Sequence, residues 1–229
     1  MSAIVIVPYR PDRGHRDELW SFLRDRYWQQ SGYDVVLGEH LDGPFNRSKA
    51  LNQAADRAWQ YAIIADSDTW VPAANLHRAL LTAKISQRLT AAFDSVVEIS
   101  QLCTRDIVAG RLSLDDSFAT DCVRRRDMET QSSMLVVPRT LWDKVGGFDE
   151  NFEGWGGEDS AFWKACTLHA GQPHRVAGNA YHLWHPPANG KRTGPEYAKN
   201  LALWRRYESA QTIKDLPCTP SESSPTSHE

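Results

Sequence analysis

Short apolar runs that alternate with segments of helical period constrain this chain more than any other feature. Ala3 to Val7 is a β-branched run stopped by Pro8, the pattern of a buried parallel strand. Leu19, Phe22, Leu23 and Tyr27 then recur at helical spacing, and after Gly32 the segment Asp34 to Leu37 reads as a second strand. Ala50, Leu51, Ala54, Ala55 and Ala58 form a small-residue helix face. Tyr61 to Ala65 is a third strand, and it stops at Asp66-Ser67-Asp68. Pro72 opens a helix through Lys84, Ala91 to Val97 reads as a strand, and Ile99 to Gly110 as a helix. The segment Arg111 to Glu129 is polar and poorly periodic, the character of a substrate loop or lid. Ser133 to Val137, Leu141 to Val145, Ser160 to Ala170, Arg175 to Ala180 and Pro195 to Gln211 continue the alternation as strand, helix, helix, strand and helix. Such alternation predicts an α/β fold: one domain over residues 1–215, with a mainly parallel central sheet flanked by helices. Residues 216–229, rich in Ser, Pro and Thr, are expected to be disordered.

At 229 residues and 41% hydrophobic content the chain can bury a full core. A net charge of -3 gives no general pull toward nucleic acid or an anionic membrane, and Arg124, Arg125 and Arg126 are the one basic run. No secretory leader is visible, and no window is long enough to span a bilayer. Cys103, Cys122, Cys166 and Cys218 are widely spaced without any Cys-x-x-Cys pair, which predicts reduced thiols and a cytoplasmic setting.

The chemistry-bearing residues sit at the ends of these elements. Asp66 and Asp68 follow a central strand, where ligands bind in open α/β sheets. If strand geometry persists they share one side and suit a hard divalent cation. His182 and His185 add imidazole nitrogen, which shifts the preference from Mg2+ toward Mn2+. Pro186 and Pro187 oppose a helix there, so an extended segment is expected to bring only one of the two to a metal. Pro8-Tyr9-Arg10 places a ring and a guanidinium after the first strand, and Phe45-Asn46-Arg47 opens a helix with Asn46 as its cap. The loop Gly146 to Asp159 packs glycine turns around Trp155 and ends in Glu158 and Asp159. It reads as a flat wall for a ring beside acceptors for hydroxyl hydrogens, or as an acidic helix start. Neither Gly-x-Gly-x-x-Gly after the first strand nor a P-loop motif is present.

Four pieces in order, strand-Pro-Tyr-Arg, Phe-Asn-Arg-Ser-Lys-Ala-Leu-Asn, strand-Asp-Ser-Asp, and Gly-Gly-Phe-Asp-Glu followed by Gly-Trp-Gly-Gly-Glu-Asp, resemble the metal-dependent nucleotide-sugar glycosyltransferases of the GT-A fold. The likeness is to the β-1,4-galactosyltransferase and polypeptide N-acetylgalactosaminyltransferase-like group, in a bacterial or bacteriophage form, and it covers Ala3 to Pro187. Ser132-Ser133 stands where the galactosyltransferases have small glycines lining the donor sugar.

The resemblance implies a Rossmann-like GT-A domain and a UDP-sugar donor. Pro8, Tyr9 and Arg10 would line the nucleotide, Arg13 would contact a phosphate, and Phe45 and Arg47 would border the uracil and the ribose or diphosphate. Asp66 would reach the ribose or a metal-bound water. Asp68 would be the direct ligand of Mn2+, or of Mg2+, with His182 the fitting histidine and His185 the other candidate. Trp155 and Gly156 would wall the sugars, Glu158 would hold a sugar hydroxyl, and Asp159 would be the base of an inverting transfer to an acceptor hydroxyl on a glycan, protein or modified nucleic acid. The competing readings are a retaining transferase of the same fold, a non-catalytic sugar- or nucleotide-binding module, and a nucleotidyltransferase.

Overall fold

The computed structural model describes residues 2–114, 118, 121–126, 130–186 and 194–217. Pro187, Cys218 and the C-terminal segment expected to be disordered lie outside them, save Leu216 and Pro217.

The chain opens with β1 (Ala3–Tyr9), then α1 (His15–Leu23), a π-helical turn (Arg24–Trp28), α2 (Gln29–Ser31) and β2 (Asp34–Glu39). It continues with α3 (Arg47–Ala55), β3 (Tyr61–Ala65), β4 (Thr69–Trp70), α4 (Ala73–Ser86), β5 (Thr90–Ala91), β6 (Ser95–Ile99), α5 (Gln101–Val108) and β7 (Val123–Arg125). The last elements are β8 (Met134–Pro138), α6 (Arg139–Val145), α7 (Glu158–Ala170), β9 (His174–Arg175), β10 (Asn179–His182), α8 (Pro195–Ser209) and a 3-10 turn (Ile213–Asp215).

The central sheet has the order β2-β1-β3-β8-β5-β9. Its pairings β1/β2, β1/β3 and β5/β9 are parallel, and both pairings of β8 are antiparallel. The expected mainly parallel sheet flanked by helices is therefore present. Its middle is the most apolar part of the chain: Ala62, Ile63, Val136, Val137 and Met134 are fully buried. Strands buried on both faces need continuous apolar runs, which is why they are visible in the sequence.

A second sheet, β4-β10-β6-β7, carries much of the chemistry. Here the expected strands Ala91 to Val97 and Arg175 to Ala180 each prove to be two. The chain leaves the central sheet at β5 and β9, and enters the second at β6 and β10, with both segments crossing side by side and in parallel. The crossing is held by Asp94, whose carboxylate accepts from the Gly178 amide at 3.0 Å while its own amide donates to Gly178 O at 3.0 Å. Propensity sees one apolar run, whereas the bend between the sheets comes from these tertiary bonds.

Two further expectations are corrected. The segment Arg111 to Glu129 contains β7, which pairs antiparallel with β6. Cys103 and Cys122 form a disulfide, because the Ser100 amide bonds Cys122 O at 2.8 Å and brings α5 against the approach to β7. Disulfides persist in oxidising compartments, so the thiol argument for a cytoplasmic setting no longer stands. Cys166 is a free, buried thiol. Among the described residues no helix is long and apolar enough to cross a membrane.

Candidate active site

Asp68, His182 and His185 each present one ligand atom, all within 4.8 Å of one another. Asp68 lies in the turn after β3, just before β4, and His182 ends β10, which pairs with β4 so that His182 faces Thr69 across the ladder. His182 Nε2 is 3.6 Å from Asp68 Oδ1 and His185 Nε2 is 3.3 Å from Asp68 Oδ2. An extended segment was expected to bring only one of the two histidines to a metal, whereas both rings lie against Asp68. The Leu183 amide bonds Asp68 O at 2.9 Å and the Trp184 amide bonds Thr104 Oγ1 at 2.9 Å, so the chain beyond β10 bends and returns the second ring to the carboxylate.

The far nitrogen of each ring is already engaged. His182 Nδ1 meets Glu98 Oε2 at 2.6 Å and His185 Nδ1 meets Pro186 O at 2.8 Å. Each ring thus turns its Nε2 toward Asp68, as outer partners do at metal sites. One carboxylate and two imidazoles suit Mn2+ better than Mg2+, which favours oxygen alone.

Burial opposes ionisation of Asp68, yet His182 and His185 outweigh it and hold its carboxyl below the usual range. For His182 burial again opposes charge, and Asp68 and Glu98 overcome it, lifting the imidazolium to about 10. For His185 burial wins and the ring is pushed down.

Glu98 and Arg126 were missed as site residues. Glu98 is a charged residue inside the apolar strand β6, a signal that was there to read. Its carboxylate is drawn down to about 2: burial resists, but His182 and Arg126 prevail.

Arg47 forms the second centre. One Nη pairs with Asp159 and the other with Asp66 Oδ1 at 2.8 Å. Asp66 Oδ2 also accepts from the Ser133 amide at 3.1 Å, so both its oxygens are held within the protein. Ser133 has φ 77, a conformation that glycine adopts at less cost than serine. Asp159 stands in the first turn of α7, which starts at Glu158 rather than at Ser160. Burial raises its pKa; Arg47 opposes this, Glu158 and Asp66 add to it, and the net shift is upward.

The loop Gly146 to Asp159 is clamped from two sides. On one, Asn52 of α3 accepts from the Phe148 amide and donates to Phe148 O, both at 2.9 Å, and Asn46 Nδ2 donates to Glu150 O at 2.8 Å. Asn46 also caps α3 as expected, accepting from the Lys49 amide at 2.9 Å. On the other side, Asn200 of α8 donates to Glu153 O at 2.8 Å and Tyr207 donates to Asp149 Oδ2 at 3.0 Å. Gly147 is required here: its φ is +78, and a Cβ would lie 2.5 Å from Asn52 Oδ1.

The remaining predicted residues belong to β1 and the loop after it, to the approach to α3, and to the glycine loop and first turn of α7. Tyr9 is buried, with its hydroxyl on Asp17, and Arg10 donates to Gly43 O at 2.6 Å and Leu41 O at 3.0 Å, pinning the approach to α3. Pro8 lies within β1, and the Arg13 amide bonds Asp17 Oδ2 at 2.9 Å. Phe45 O accepts from the Gly154 amide at 3.1 Å, joining the second and fourth sequence pieces. Trp155 is 41% exposed, its ring 6.0 Å from Tyr197 of α8, and the space above Gly156 is bounded by Tyr197. Glu158 is buried.

The fold that carries this arrangement is the GT-A fold of glycosyltransferases, as the sequence resemblance implied. Residues 121–186 match the family described as the N-terminal domain of galactosyltransferase, a segment that includes the glycine loop, Asp159 and both histidines. Among solved structures, S. aureus TarS 1-349 in complex with UDP-GlcNAc is similar at 14% identity and TM-score 0.55, over 90% of this chain and 66% of that one. The catalytic domain of Drosophila β1,4-galactosyltransferase 7 in complex with xylobiose is similar at 14% identity and TM-score 0.51, over 93% and 83%. GalNAc-T7 with UDP, GalNAc and Mn2+ follows at 12% identity and TM-score 0.52, over 90% and 49%. The chain thus spans less than two thirds of the length of two of these three. A sequence search of curated proteins finds no match.

Proposed function

We propose that the chain is a metal-dependent glycosyltransferase that moves a sugar from a UDP-sugar to an acceptor hydroxyl with inversion, Asp159 serving as base. The observation that carries the reading is the convergence of Asp68, His182 and His185 two residues from Asp66, which Arg47 joins to Asp159. A cation site and a half-buried carboxylate of raised basicity then lie at the two ends of Asp66-Ser67-Asp68. The matched galactosyltransferase segment and the UDP-sugar and Mn2+ complexes of proteins with this fold support it.

Asp68, His182 and His185 would hold Mn2+, which when bound supplies Lewis-acid stabilisation of charge on the leaving diphosphate. Arg47 and Arg13 supply positive charge for the phosphates, and Pro8, Tyr9, Arg10 and Phe45 frame the nucleotide. Trp155 and Gly156 wall the sugars, with Glu158 holding a hydroxyl. Arg47 engages Asp159 Oδ1 and opposes the protonation that burial favours, and in the ionised form Oδ2 takes the proton of the acceptor hydroxyl. The acceptor oxygen bonds the anomeric carbon as the bond to the diphosphate breaks on the opposite face, and UDP departs with the electron pair.

Incubation with Mn2+ and a panel of nucleotide sugars, with donor hydrolysis as the readout, needs no acceptor and tests the reading directly. UDP-sugars should be hydrolysed and the reaction should stop with chelator; hydrolysis of none of them defeats the proposal. Once an acceptor is in hand, the anomeric configuration of the product separates inversion from retention.

A further inference from the structure

The second sheet does more than carry His182. Glu98 and His182 are Cα partners across the parallel β6/β10 ladder, so their side chains rise from the same face. Glu98 Oε2 lies 2.6 Å from His182 Nδ1, on the side of the ring away from Asp68. Its other oxygen is taken by Arg126, whose Nε is 2.7 Å away and whose Nη2 meets the same atom. Arg126 is fixed in turn, by its amide on Val96 O at 2.9 Å and by Nη1 on Thr130 Oγ1 at 3.1 Å. The row Arg126, Glu98, His182, Asp68 thus crosses the sheet from β7 to β4. Both Glu98 oxygens are spent on this row, and the carboxylate stands outside the cluster of Asp68, His182 and His185.

We infer that Glu98, oriented by Arg126, is a positioning residue for the metal site: it holds the Nδ1–H form of His182 and aims the Nε2 lone pair at the cation shared with Asp68 and His185. The inference rests on the metal reading above and adds to it the residues that prepare the ligand. A free imidazole must choose a tautomer and a ring angle when the cation arrives. Here the strand register sets the ring angle in advance and Glu98 keeps a proton on Nδ1, so that Nε2 is the nitrogen freed for the cation, and the carboxylate beside Nδ1–H strengthens Nε2 as a donor.

Calorimetric titration with Mn2+ tests this on the whole chain, comparing wild type with Glu98→Ala, Glu98→Gln, Arg126→Gln and Asp68→Ala. Glu98→Ala should weaken Mn2+ binding by about 10- to 100-fold, the range for outer-shell partners. Glu98→Gln, which keeps an acceptor oxygen and the side-chain volume, should recover part of that loss. Arg126→Gln should fall between Glu98→Gln and wild type, since it leaves Glu98 in place but less firmly aimed. UDP affinity without metal should stay near wild type for Glu98→Gln, which a general packing defect would not allow. If Glu98→Ala does not fold, Glu98→Gln alone decides, and its affinity must still drop. Wild-type protein that takes up no Mn2+ defeats the metal reading itself. Loss of binding in Asp68→Ala with both Glu98 variants within twofold of wild type defeats only the role of Glu98, and a loss in Glu98→Ala as complete as in Asp68→Ala would make it a ligand instead.

Discussion

Arg47 and Asp159, separated by 112 residues in the chain, form a half-buried ion pair at the centre of the candidate site. The same guanidinium holds Asp66, so the helix after β2, the turn after β3 and the start of α7 meet on one cation. Removing the proton acceptor while keeping this geometry is the sharpest test of mechanism. Asp159→Asn retains an oxygen for Arg47 and should lower transfer by about two to four orders of magnitude. Metal-dependent UDP binding should stay near wild type, and ordinary turnover by the variant would remove Asp159 from the role of base.

Truncating the cation itself should be costly for stability. Arg47→Ala leaves Asp66 and Asp159 facing each other without the guanidinium, and because these side chains are only half-buried the cost should fall below the roughly 3–5 kcal/mol of a fully buried pair. Denaturant unfolding should show the loss, and adding Asp159→Asn to Arg47→Ala should restore part of it. A double variant no more stable than the single one would mean that repulsion between these carboxylates is unimportant.

The three ligands should differ from their neighbours in metal titrations. Asp68→Ala, His182→Ala and His185→Ala are each expected to weaken Mn2+ affinity by more than the roughly tenfold minimum for outer-shell partners. If His185→Ala binds like wild type, the second ring is a bystander despite its 3.3 Å approach to Asp68.

In chelator, stability should depend on pH through His182. Its folded value, about 10, lies above the ordinary histidine value of 6.5. The stabilisation by its charge is therefore fully present below about pH 6.5 and is lost as pH rises through about 10. The difference in melting temperature between wild type and His182→Gln should shrink across that window. A difference that grows with pH would reverse the sign and contradict the paired imidazolium.

The disulfide gives a further stability test. Closing a loop between residues 19 apart contributes about 3 kcal/mol in the chain-entropy picture, so Cys103→Ser with Cys122→Ser should unfold at lower denaturant. Thiol alkylation of the unfolded, unreduced protein should label the two cysteines only after reductant is added.

What the sequence determined by itself were the elements buried on both faces and the motifs at their ends. Tyr61–Ala65 ends at Asp66 because an apolar run has to stop where charges begin, and Asn46 marks the start of α3 because its side chain caps a free amide. Local chemistry of this kind acts over a few residues and is written in order along the chain. Only the tertiary structure decided that one apolar run at 91–97 would divide between two sheets, that His185 would turn back beside His182, and that Cys103 would meet Cys122. It also decided that Glu98, a lone charge in β6, would stand behind a histidine 84 residues later. Each of these depends on a hydrogen bond or strand pairing between distant segments. The spacing of residues in one dimension carries no record of such bonds until the sheet register sets them side by side.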